Sequence, residues 1–168
     1  MSLFWSFFLS LLFLVACAPY REKPTVSCST PISSADTINK EYFFVWPVTG
    51  KIVNYFGESY ESVINSGLNI SVKAASEIKT AAGGSVVFAR YLNGWGHTVI
   101  VKHPDDFYTI YANLNVFAVK EGVSVRDGDV IGKVNDCDQK DKCIFHFEIR
   151  KGHLAQDPLR YLVADKKI

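Results

Sequence analysis

The chain has 168 residues, 48% of them hydrophobic and 14% aromatic, with a formal net charge of +1. That length supports one substantial core rather than two, and a near-neutral balance without a basic stripe argues against nucleic acid as a partner. The aromatic and β-branched content favours strands over a helix bundle.

The first segment is apolar from Leu3 to Ala16 and closes on small residues. It reads as a secretory signal peptide over residues 1–16 and is shorter than the ~20 apolar residues of a spanning helix. Leu14-Val15-Ala16-Cys17 resembles the bacterial lipobox, which implies cleavage before Cys17 and lipidation of that residue. Several acyl chains on one cysteine anchor stably where a single chain does not. No Lys or Arg precedes the apolar run, so an ordinary signal peptide or an uncleaved anchor stays open. A lipid-anchored chain would sit in the cell envelope, outside the cytoplasm. Ala18 is not the retention-type Asp, which is compatible with a periplasmic position on the outer membrane.

Residues 17–41 then carry three prolines, many Ser and Thr, and few apolar side chains. They read as a linker whose typical end-to-end distance is ~25 Å. From residue 42 to 163, short strand-like runs alternate with turn signals, among them Gly83-Gly84, Asn93-Gly94 and Asp127-Gly128. One helical turn is expected, in "DPLRYL". Residues 164–168 form a tail. The pattern predicts an all-β domain of twisted antiparallel sheets, either a grooved sandwich or an open barrel.

Cys137 and Cys143 bracket the polar loop "DQKDK". In an exported protein they are expected to form a disulfide, worth ~2–3 kcal/mol through loop closure. Cys28 is left over in the linker. A zinc cluster of Cys137, Cys143 and His146 is the competing reading. Strand parity opposes it. In "CIFHFEIR" the residues Cys143, Phe145, Phe147 and Ile149 share one face, and Ile144, His146, Glu148 and Arg150 share the other. His146 therefore faces a groove or solvent while Cys143 faces the core.

Four blocks, "FFVWPVTGKIVNYFG", the stretch from "SGLNISV" to "FYTIYANL", "VKEGVSVRDGDVIGKV" and "FHFEIRKGHLAQDPLRYL", resemble in order the LytM or lysostaphin-type zinc endopeptidases. The resemblance covers residues 42–163. It implies a grooved antiparallel fold built from a duplicated hybrid motif, and in active members the cleavage of peptide crosslinks in peptidoglycan. Those members bind zinc through H-x-x-x-D and the second His of H-x-H, with a further His at a strand end. Carried over, the first pair falls on Asn65 and Asn69, the strand-end position on Asn113, and H-x-H on Ile144 and His146. Gly67, Ile70, Tyr111, Phe147 and Glu148 keep the surrounding pattern.

A hydrolytic zinc site needs about three protein ligands and an open position. The Asn65 amide nitrogen has no available lone pair and the amide oxygens are neutral, while Ile144 can neither orient a water nor stabilise an oxyanion. The resemblance thus implies a degenerate member with His146 as a vestigial ligand, no catalytic residues and no cofactor. Degenerate relatives activate peptidoglycan-cleaving amidases, so a hydrolase is the implied partner and membrane contact is made through the lipid. A peptidoglycan-binding module is the alternative, with Trp95, Tyr111 and His146 lining the old groove and Arg150 or Lys151 meeting stem-peptide carboxylates. An active enzyme with altered ligands, drawing on His97, His103 or His153, is the third reading.

Overall fold

Apolar residues spaced two apart become buried sheet faces, as the period of an extended chain requires. The computed structural model describes residues 43–60, 63–134 and 143–163, all within one compact unit, Asn39–Ile168. In chain order the strands are β1 (Lys51–Asn54), β2 (Ser59–Tyr60), β3 (Val63–Ile64), β4 (Leu68–Val72), β5 (Ser76–Lys79), β6 (Gly84–Leu92), β7 (Gly96–Lys102), β8 (Phe107–Leu114), β9 (Val116–Phe117), β10 (Ser124–Val125), β11 (Val130–Val134), β12 (Cys143–Lys151) and β13 (Leu154–Gln156). Short 3-10 turns occupy Pro104–Asp106 and Pro158–Arg160. The second is the turn predicted in "DPLRYL"; the first is signalled only by Pro104 at its start. The signal-peptide, lipidation and linker assignments at 1–16 and 17–41, Cys28, Cys137 and the tail at 164–168 lie outside the described residues.

An eight-stranded antiparallel sheet runs β1-β4-β12-β8-β7-β6-β10, with β13 beside the far half of β12. A three-stranded sheet, β5-β11-β9, and the hairpin β2-β3 complete the fold. This is the twisted antiparallel architecture that the patterning predicts. The core unites Leu68, Ile70 and Val72 of β4, Phe145, Phe147 and Ile149 of β12, and Ile78 and Ile131 of the smaller sheet. Parity on β12 holds for Cys143, Phe145, Phe147 and Ile149, which are all buried. The ends of the domain clasp each other. Phe44 bridges Leu162 in parallel, and the Trp46 indole N–H donates to the Val163 carbonyl at 3.0 Å.

His103, just past the end of β7, is buried in a polar chain. Its Nδ1 lies 2.8 Å from the Gly83 carbonyl and its Nε2 2.7 Å from Thr109 Oγ1. Thr109 in turn meets the Tyr111 hydroxyl, which accepts from the Ala81 N–H. A neutral ring satisfies every member, with Nδ1–H donating to Gly83 and Nε2 accepting from Thr109. Burial holds the His103 pKa below its ordinary value, against the opposing hydrogen bond to Gly83. Because the folded value lies below the unfolded one, the unfolded chain takes up a proton first as pH falls. The contribution is complete above ~6.5, the ordinary histidine value, and is lost progressively below it. Denaturant titrations between pH 7.5 and 5 should show falling stability, with a shallower slope in His103→Gln.

Candidate functional site

Strand register builds a polar floor along β4, β8 and β12. His146 lies opposite Asn69 on one side and Ala112 on the other. A groove of about 830 Å³ opens over this point, lined by Asn65, Asn69, Trp95, Asn113, Ile144 and His146 together with the β2-β3 hairpin. The structure thus brings five expected positions, Asn65, Asn69, Asn113, Ile144 and His146, into one concavity. Trp95 joins them, its ring edge-on to His146 at 5.1 Å between centroids.

Hydrogen-bond polarity across the floor is fixed from one end. The Glu58 carboxylate accepts from the Tyr55 N–H at 2.9 Å and from Asn54 Nδ2 at 3.5 Å. Asn54 Oδ1 then faces Asn69 Nδ2 at 3.3 Å, which leaves Asn69 Oδ1 to accept from His146 Nδ1–H at 2.6 Å. On its other side His146 Nε2 lies 3.2 Å from Glu148 Oε1. Asn65 is engaged separately, donating to the Tyr55 carbonyl and accepting from the Gly67 N–H. Asn113 sits at φ +59°, a left-handed conformation that Asn tolerates better than most residues, and its N–H donates to the Trp95 carbonyl at 2.9 Å.

Glu148 is the residue whose importance patterning does not reveal. Alternation places it with the polar face, yet its side chain is fully buried. Ser66 donates to one carboxylate oxygen and Arg150 Nε to the other at 2.7 Å. Burial pushes the carboxyl up, but bonds from His146, Arg150 and Ser66 with the Arg150 charge outweigh it and hold the pKa below the usual glutamate value. The hints in the sequence are its place in the retained family pattern and its spacing, an acid two residues from both His146 and Arg150 on one strand face.

Two expectations are corrected. Tyr111 does not line the groove: it pairs with Phe147 on the core face, is fully buried, and spends its hydroxyl on Ala81 and Thr109. Arg150 is not among the groove-lining residues either, because its guanidinium is drawn to Glu148. His97 packs its ring on Phe117, His103 is buried, His153 is exposed, and none of the three borders the groove. Cys143 is disulfide-bonded and so has no thiolate to offer a metal; its expected partner Cys137 lies outside the described residues.

The family resemblance implies zinc, and the donor set can be tested against it. Among the described residues no group of three or more His, Cys, Asp or Glu side chains could hold a metal ion. The groove offers one imidazole whose Nδ1 is hydrogen-bonded to an amide, neutral amide oxygens beside it, and two carboxylates already engaged, Glu58 by Tyr55 and Asn54 and Glu148 by Ser66 and Arg150. Such a set does not fit a hydrolytic zinc ion, which needs about three ligands.

Gly67 shows how tightly the floor is built. A Cβ there would stand 2.2 Å from the Phe147 carbonyl oxygen and 2.8 Å from Glu148 Cγ. Backbone cannot yield as a flexible side chain can. Gly67→Ala should therefore cost ~1–3 kcal/mol of unfolding free energy, as overpacking does, with the loss visible in thermal melts.

The sequence model of peptidase family M23 matches residues 63–158. The uncharacterized lipoprotein YgeR of Escherichia coli is 33% identical over 139 residues, covering 82% of this chain and 54% of its own length. The murein hydrolase activator NlpD of Salmonella dublin is 35% identical over 141 residues, covering 83% and 37%. The chain thus spans about half the length of the first and just over a third of the second. Among solved structures, Csd3 of Helicobacter pylori superposes with a TM-score of 0.64 at 26% identity, covering 73% of this chain and 34% of that one. Lysostaphin of Staphylococcus simulans superposes at 0.63 over 76% of this chain and 57% of its own; at 22% identity it speaks for the fold alone.

Proposed function

Since the chain belongs to peptidase family M23, we propose that it is a non-catalytic envelope lipoprotein that binds and activates peptidoglycan hydrolases, amidases in particular. The observation that carries this reading is the Asn69–His146 hydrogen bond at 2.6 Å. It occupies the place where the carried-over motifs would put zinc, with Asn65, Asn113 and Ile144 at the remaining chemical positions. Four of five positions then lack the group that hydrolysis requires.

The groove is suited to another protein. Val63 and Ile64 are 71% and 69% exposed on its hairpin wall, and Ile144 is 41% exposed on its floor. Exposed apolar side chains gathered in a concavity mark an interaction site, whereas the polar floor spends its hydrogen bonds internally. A hydrolase-activating role is in keeping with the name of the relative NlpD, a murein hydrolase activator, and a lipid anchor at Cys17 with that of the lipoprotein YgeR. We place the chain in the periplasm, held at the outer membrane through that cysteine.

The test is an amidase assay on purified cell wall with and without the chain. Amidase alone should be slow, the chain alone inert, and the two together faster. Ile64→Glu or Ile144→Asp should remove the stimulation without lowering the melting temperature. No stimulation of any envelope amidase would refute the proposal.

A further inference from the structure

A second groove lies beside the clasp that joins the ends of the domain. It measures about 1140 Å³ and is lined by Trp46, Pro47, Lys51, Tyr55, Glu77 and Lys79, among others. That exceeds the ~300–1,000 Å³ of ordinary small-molecule clefts. Beside the aliphatic side chains of Val45, Val48, Ile52 and Val163, its wall carries two kinds of group that can recognise a polar ligand. Trp46 and Tyr55 offer amphipathic rings, Tyr55 being about half exposed; such rings suit a ligand that is apolar on one face and wet on the other. Lys51 and Lys79 offer charge. Glu77 is already taken by Lys133 at 3.2 Å, and neither the Lys51 nor the Lys79 ammonium has a hydrogen-bond or ion-pair partner among the described residues. The groove thus carries two uncompensated cations next to aromatic faces.

We infer that this second groove binds a saccharide strand bearing free carboxylates, and we commit to the peptidoglycan strand with its stem peptides as the source. Sugar rings present C–H faces to Trp46 and Tyr55, and stem carboxylates meet Lys51 and Lys79. The inference rests on the reading that the chain works on cell wall, and it assigns wall binding to a surface separate from the His146 groove. A bilayer is the poorer occupant. Membrane docking needs apolar side chains that protrude ~5–10 Å into the headgroup region, and these residues line a hollow.

Sedimentation with purified sacculi tests this, using the full chain carrying Cys17→Ser so that no acyl group contributes. Lys51→Glu/Lys79→Glu should weaken sacculus binding by about tenfold or more, as reversal of steering charges does, with an unchanged melting temperature. Amidating the carboxylates of the sacculi should weaken wild-type binding similarly, and vesicles containing anionic phospholipid should not compete. Stimulation of an amidase on soluble wall fragments, measured on the same variant, should be retained, which separates this site from the activation groove. The proposal is overturned if wild-type chain does not bind sacculi, if the double variant or amidated sacculi bind as well as their parents, or if the vesicles displace the sacculi.

Discussion

The Glu148→Ala variant is expected to lose about 3–5 kcal/mol of stability, the cost of breaking a buried charge pair by removing one member. Glu148 has no solvent exposure and is held by Ser66, His146 and Arg150. Its removal strands those partners and empties the space behind the groove floor. Urea titration reads the effect as a lower midpoint with a similar slope. Glu148→Gln keeps the volume and should lose less.

The pH dependence distinguishes charge from packing. The folded pKa of Glu148 is depressed, so its charge contributes stability above the ordinary glutamate value of ~4.3 and loses that contribution as pH falls toward the folded value. The gap between wild type and Glu148→Gln should therefore be full at pH 7 and shrink in acid. A gap independent of pH would mean that Glu148 acts through packing alone.

Asn65→His/Asn69→Asp is the second variant with a large expected effect. His146 already faces position 69 through Nδ1, and position 65 lines the same groove. Restoring the two side chains that the family pattern carries should produce binding of about one zinc per chain, tighter than in the parent by at least about a thousandfold, as completing a three-ligand set implies. Metal analysis after dialysis and isothermal titration measure it. The parent chain should return no stoichiometric zinc. If it already binds one equivalent, the groove has been rebuilt from other ligands.

Much of this architecture could be read before any coordinates. Alternation in "CIFHFEIR" correctly sets Phe145 and Phe147 against the core and His146 against the groove, because strand parity is a strict geometric rule. The limit of parity appears two residues later. Glu148 shares the His146 face yet is buried, since Ser66 and Arg150 cover it from positions 82 residues away and two residues away respectively. Tyr111 misleads for a related reason. Its phenol suggests a wet site, but its register opposite Phe147 takes it into the core, where Ala81 and Thr109 satisfy the hydroxyl. Long-range partners decide such cases, and a linear pattern does not contain them. The Lys51–Lys79 groove is invisible for the same cause: those residues come from different sheets.

Incubation of purified sacculi with the recombinant chain, an envelope amidase, or both, each with and without a zinc chelator, bears most directly on whether this groove activates or cleaves. Fragments should appear with the amidase, increase when the chain is added, and be absent with the chain alone whether or not chelator is present. Release of crosslink-cleaved fragments by the chain alone, abolished by the chelator, would contradict the account.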